Sequence, residues 1–79
     1  MTAAVLPTAA LLQAARGRLA GTGQPALDSE LLLAHVLRCS RAELAARPEA
    51  PVAAPAAAAF EALVERRSRG EPIAYLVGH

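Results

Sequence analysis

Between Leu31 and Leu37 the chain reads Leu31-Leu32-Leu33-Ala34-His35-Val36-Leu37, and this run restricts the fold more than any other stretch. Extended back to Leu27, it is apolar almost all the way round a helix. Such a helix cannot lie on a surface with one face in water. It belongs at the buried centre of a bundle. Its start is set near Pro25, which suits a first-turn position. Asp28 and Glu30 follow early, where the helix dipole favours carboxylates. Arg38 closes it, a cation at the carbonyl end.

The other segments supply helices to surround it. Alanine makes up more than a quarter of the 79 residues and aromatic residues only 3%, which favours close-packed helices over strands. A first helix is predicted over residues 9–20, with Thr8 as its N-cap. Leu11, Leu12, Ala15 and Leu19 share its inner face, and Gly21-Thr22-Gly23 ends it. Residues 1–7 read as a loose lead-in. Ser40-Arg41-Ala42-Glu43 has the form of a capping box and opens a short helix over residues 41–47, with Leu44 inward. Pro48 and Pro51 break the chain into a polar turn. A last long helix is predicted over residues 55–69. Phe60, Leu63, Val64 and the Arg67 stem face the core, and Glu65 reaches Arg69 at i+4 for about 0.2–0.5 kcal/mol. The fold class is therefore all-α, a bundle of four to five short helices. One domain is the ceiling at this length, and a core of this size rarely supplies more than ~3–5 kcal/mol.

Several function classes are disfavoured by the same residues. The net charge of +1 offers little attraction to nucleic acid or membrane surfaces. No apolar run reaches the length of a membrane span, and residues 1–6 lack the basic region of a signal peptide. The lone cysteine, Cys39, allows no internal disulfide and fits a reducing compartment, so the expected location is cytoplasmic. Cys39 with His35 and His79 gives no zinc-ligand spacing, and no metal site is expected. Gly21-Thr22-Gly23 lacks the third glycine and the preceding strand of a dinucleotide fingerprint. His35 reads as a core or boundary histidine with one ring nitrogen hydrogen-bonded. Cys39 reads as a small, semi-buried residue. Residues 33–44 have the outline of a helix-turn-helix, the alternative to the reading below. Their second helix offers Arg41, Glu43 and Arg47 among alanines, a poor set for reading bases.

The final fourteen residues bring three features together. Arg66, Arg67 and Arg69 crowd a helix end, where they serve either as solvated, dipole-favoured cations or as a patch for an acidic surface. Gly70 fits the position just past the helix, and Pro72 prevents continuation. Ile73-Ala74-Tyr75-Leu76-Val77 then reads as an extended, strand-like run with both faces apolar. A lone strand of that kind exposes an edge, so residues 71–79 are expected to be disordered, packed back on the bundle, or paired with another copy.

Two segments carry a family resemblance. Asp28-Ser29-Glu30-Leu31-Leu32-Leu33-Ala34-His35-Val36-Leu37 resembles a segment of the N-terminal domain of the bacterial PrmC (HemK) family. Arg66-Arg67-Ser68-Arg69-Gly70-Glu71-Pro72-Ile73-Ala74-Tyr75-Leu76-Val77-Gly78-His79 is similar to the segment that follows in that family, in the same order and at matching separation. The resemblance covers the chain from about Thr8 onward. It implies a release-factor glutamine methyltransferase, which uses S-adenosyl-L-methionine to methylate the glutamine of a Gly-Gly-Gln motif in peptide chain release factors. Residues 1–70 would be the helical substrate-recognition domain. Residues 71–79 would begin a β-hairpin connector to a methyltransferase domain that this chain lacks. The family's Asn-Pro-Pro-Tyr motif and cofactor loop have no counterpart here, so no catalytic and no cofactor-binding residue carries over. The resemblance leaves Arg66, Arg67, Arg69, Glu71 and Tyr75 as the candidate contacts to a partner or to the neighbouring domain.

Overall fold

The computed structural model describes residues 5–78, and their order is α1 (Thr8–Arg18), a 3-10 turn (Ala20–Thr22), α2 (Pro25–Leu37), α3 (Arg41–Ala46), α4 (Ala54–Ser68) and α5 (Ile73–Val77). The architecture is an all-α bundle, with no strand among the described residues. α2 is its axis and packs against α1, α3, α4 and α5. Leu32 and Leu33 are completely buried, as is Leu19, and Phe60 and Val64 of α4 close the core from the other side. The expected inner faces of α1, α3 and α4 are the observed ones, since Leu11, Ala15 and Leu44 are also buried. α2 is not covered all round, however. Leu31, Val36 and Leu37 remain half-buried.

The N-terminus of α1 is capped differently from the expectation. Pro7, not Thr8, is the N-cap residue, and the free N–H groups of the first turn are satisfied by a distant loop. The Thr8 N–H donates to Ala50 O at 2.9 Å and the Ala9 N–H to Pro48 O at 2.8 Å. The Thr8 hydroxyl also donates to Ala50 O, at 3.0 Å. Residues 5–7 are accordingly no loose lead-in. Pro7 forms an isolated bridge with Pro51, and the Val52 N–H donates to Leu6 O at 3.0 Å. The 48–52 turn is not purely polar either, because Val52 is buried in the core. Residues 1–4 lie outside the described part, as does His79.

α3 starts as its sequence specifies. Both halves of the capping box form: the Glu43 N–H donates to Ser40 Oγ at 3.1 Å, and the Ser40 N–H donates to Glu43 Oε1 at 3.0 Å. The Ser40 backbone N–H, and then its side chain, hold the Glu43 carboxyl below the usual carboxylate range. Glu71 is held low as well, chiefly by the Arg66 guanidinium. A group whose pKa is depressed by folding contributes stability above its unfolded pKa, and that contribution disappears as the pH falls through the folded value. The melting temperature is expected to fall from about pH 5 downward, as unfolded carboxylates take up protons. Ser40→Ala removes the hydroxyl cap and is expected to cost about 1 kcal/mol. It should also shrink the acid-induced drop. Thermal melts followed by circular dichroism across pH 3–7 check both.

The segment after α4 departs most from the sequence reading. Residues 73–77 form a helix, not an extended strand. Pro72 (φ −64°, ψ 144°) is its N-cap residue, and Pro72 O accepts from the Tyr75 and Leu76 N–H groups. Gly78 takes the left-handed conformation that closes it. The physical reason is the period. A strand would send Ile73, Tyr75 and Val77 to one side. The helix instead places Leu76 and Val77 in the core with Ile73 beside them, and turns Tyr75 outward at 73% exposure. The segment is thus packed back on the bundle, against α2 and α4.

Candidate functional site

Four of the five candidate residues meet at the corner between α4 and α5. Gly70 (φ 103°) turns the chain there, in a conformation that L-residues other than glycine rarely adopt. The Arg66 guanidinium grips Glu71 through two bonds, Nε to Oε2 at 3.0 Å and Nη2 to Oε1 at 2.8 Å. Arg67 points inward. Its Nε donates to Asp28 Oδ2 at 3.0 Å and its Nη1 to Glu71 O at 3.0 Å. Arg69 reaches back to Glu65 at 2.7 Å, the i,i+4 pair expected from the sequence. Tyr75 lies on the exposed side of α5 and hydrogen-bonds to none of these residues.

The three arginines therefore do not make one uniform basic patch. Each has a carboxylate of its own, and only Arg66 and Arg69 lie substantially in solvent. Arg67 is a strut, and Asp28 is the residue that sequence reading undervalued. Asp28 is 5% exposed and lies four residues into α2. Its Oδ2 accepts from Arg67 and also, at 3.2 Å, from the Thr22 hydroxyl. That hydroxyl has one proton and lies closer to Leu19 O, at 2.7 Å, so the proton is shared. One carboxylate oxygen thus ties the 3-10 turn, α2, α4 and the entry to α5. Ser29 beside it is fully buried, its hydroxyl donating to Pro25 O at 2.7 Å.

On the other side of α5 a groove of about 790 Å³ runs between it and α2. Leu31 and Ala34 form one wall, Ile73, Ala74 and Val77 the other. His35, Arg38, Cys39 and Arg41 line it as well. His35 is exposed on the α2 side of the groove and not at the expected core or boundary position, because α5 covers α2 only partly. Arg38 is the C-cap residue of α2 in the left-handed conformation (φ 56°). Its N–H donates to α2 carbonyls, while its side chain is exposed. Arg41 is bound to Glu30 at 3.0 Å. That pairing removes one of the few side chains that α3, at six residues, could offer to a base edge. Burial, and then the nearby Glu43, push the Cys39 thiol up, which makes it a poor nucleophile at neutral pH. Among the described residues no three potential ligands gather at a metal-binding distance, and no helix is long and apolar enough to cross a membrane.

The profile of the PrmC N-terminal domain matches residues 10–78, which include the whole corner and the groove. The chain belongs to the PrmC N-terminal domain family. Three similar proteins carry the same name. A release factor glutamine methyltransferase of Xylella fastidiosa is 52% identical over 52 residues, covering 66% of this chain and 19% of that protein. One from Agrobacterium fabrum is 41% identical over 70 residues, covering 86% of this chain and 24% of the relative. One from Vibrio cholerae is 42% identical over 71 residues, covering 87% and 25%. The chain thus spans about a fifth to a quarter of the length of the curated relatives it matches. No solved structure matches it significantly. In this PrmC N-terminal domain, the two segments that carried the resemblance are joined physically by the Asp28–Arg67 pair, one partner in each.

Proposed function

We propose that this chain is the substrate-recognition domain of a release factor glutamine methyltransferase, and that it binds peptide chain release factors without carrying out the methyl transfer. The family match over residues 10–78 is the observation that carries the reading. The relatives' shared name supplies the substrate class. The methyl donor of the whole enzyme would be S-adenosyl-L-methionine. The described residues do not fit that donor. They contain no strand leading into a glycine-rich turn. Residues 71–78, fastened by Arg66 and Arg67, form the joint toward the catalytic part. Arg66, Arg69, Glu71 and Tyr75 are the surface residues offered there to a partner or to that neighbouring domain.

A competition assay tests this reading. A full-length release factor glutamine methyltransferase methylates a release factor while the chain is added in increasing excess. The expected result is competitive inhibition, a raised KM for the release factor with kcat unchanged, and no methylation by the chain alone. An unchanged KM at several hundred micromolar chain would oppose it.

A further inference from the structure

The groove between α2 and α5 takes no part in the pairings at the corner. We propose that it seats an apolar segment of the release factor that carries a carboxylate, with Arg38 as the residue that pairs with it. The inference rests on the recognition role just described and assigns that role to one face.

The α2 run is apolar nearly all round, yet α5 is only five residues long and cannot cover it. Leu31 is left half-buried on one wall and Ile73 on the other. Beside them the small side chains of Ala34 and Ala74 keep both walls low, so another chain can approach closely. Two cations line the groove, Arg38 and Arg41. Arg41 is already matched by Glu30, whereas Arg38, at the C-terminal end of α2, has no carboxylate within ion-pair distance among the described residues. The Arg38 backbone is fixed in the left-handed conformation by N–H bonds to Ala34 O and His35 O. Glycine or asparagine closes a helix in that conformation at lower cost, so helix termination alone does not call for arginine here. An apolar trough with one rigidly based, unpaired guanidinium is complementary to apolar side chains followed by an aspartate, a glutamate or a chain-terminal carboxylate. A guanidinium also holds a carboxylate through two parallel bonds, which sets the direction of the bound segment as well as its charge.

The test is an amide-resolved NMR titration of the labelled chain with an unlabelled release factor, repeated with Arg38→Asn and Ala74→Asp. Asparagine tolerates the left-handed backbone while removing the charge. Aspartate at exposed Ala74, on the first turn of α5, keeps the helix and sets a negative charge in the trough. The expected result is line broadening centred on Leu31, His35, Ile73 and Ala74. Each variant should bind about tenfold or more weakly, the equivalent of one lost charged contact, and Arg38→Lys should recover part of the loss. Unchanged spectra of the free variants show that they are folded. Tight binding by both folded variants, or broadening confined to another face, overturns the groove while leaving the recognition role standing. No binding by the parent chain overturns both. Concentration-dependent broadening without the release factor assigns the groove to a second copy and also overturns the proposal.

Discussion

Replacing Phe60 by alanine is expected to leave about half or more of the domain unfolded. Phe60 is the largest fully buried side chain, 1% exposed, and fills the space between α4 and the other core residues. Truncating a buried phenylalanine costs ~3–5 kcal/mol, through lost transfer energy and the cavity left behind. A domain of this size has about that much stability in total. The cost matches the whole stability, so the folded fraction should drop to about half or less at 25 °C. Ellipticity at 222 nm and the loss of a cooperative melt are the readouts. Phe60→Leu keeps most of the volume and should remain folded with a lowered midpoint. Leu31→Ala, at the half-buried groove wall, should cost distinctly less than the Phe60 truncation. If the Phe60→Ala protein melted like the parent, the core would not be where the structure places it.

The second large effect concerns Asp28 and Arg67. Asp28→Ala leaves the Arg67 guanidinium without its carboxylate and leaves the Thr22 hydroxyl with Leu19 O as its one acceptor. Breaking a fully buried ion pair from one side costs ~3–5 kcal/mol. The Arg67 side chain is 19% exposed, and water offsets part of that loss. The expected cost is about 2–3 kcal/mol, again a large share of the total. Removing both charges by Asp28→Leu with Arg67→Met should cost less than the sum of the two single changes, because neither partner is then left buried and unpaired. Chemical denaturation of the four proteins gives the coupling energy. Arg67→Met should have a further consequence. It also cuts the bond from Nη1 to Glu71 O, so amide exchange in α5 should accelerate more than in α1.

Local chemistry was readable wherever neighbours in sequence are also neighbours in space. The capping box at Ser40 and Glu43, the Glu65–Arg69 pair and the left-handed glycine after α4 all form as their spacing specifies. Contacts between distant residues were not readable. Asp28 and Arg67 are 39 positions apart, and nothing near either one names the other. The α1 cap comes from Ala50, 42 positions from Thr8, so a threonine before a helical run suggested a local cap that the fold does not use. In residues 73–77 local preference pointed the wrong way. Isoleucine, tyrosine and valine alternate and favour a strand. Burial of Leu76 and Val77 against the bundle outweighs that preference. The signal available was the bracket of Pro72 before the segment and Gly78 after it, together with apolar residues at 73, 76 and 77. The arginine cluster was legible as a helix end but not as three separate pairings, since the direction of each side chain depends on where Asp28, Glu65 and Glu71 lie. His35 shows the converse error. An apolar neighbourhood in sequence suggested burial, but the short α5 leaves that side of α2 open.

Recognition of the release factor by this bundle is tested most directly by calorimetric titration of the chain into a purified release factor at low and moderate salt. The account predicts saturable one-to-one binding, with a Kd of roughly 1 μM to 1 mM, the range of a small, incomplete interface. The affinity should decline as salt rises, because exposed charges contribute. Absence of any heat or saturation at millimolar chain, with the helical fold intact by circular dichroism, would contradict it.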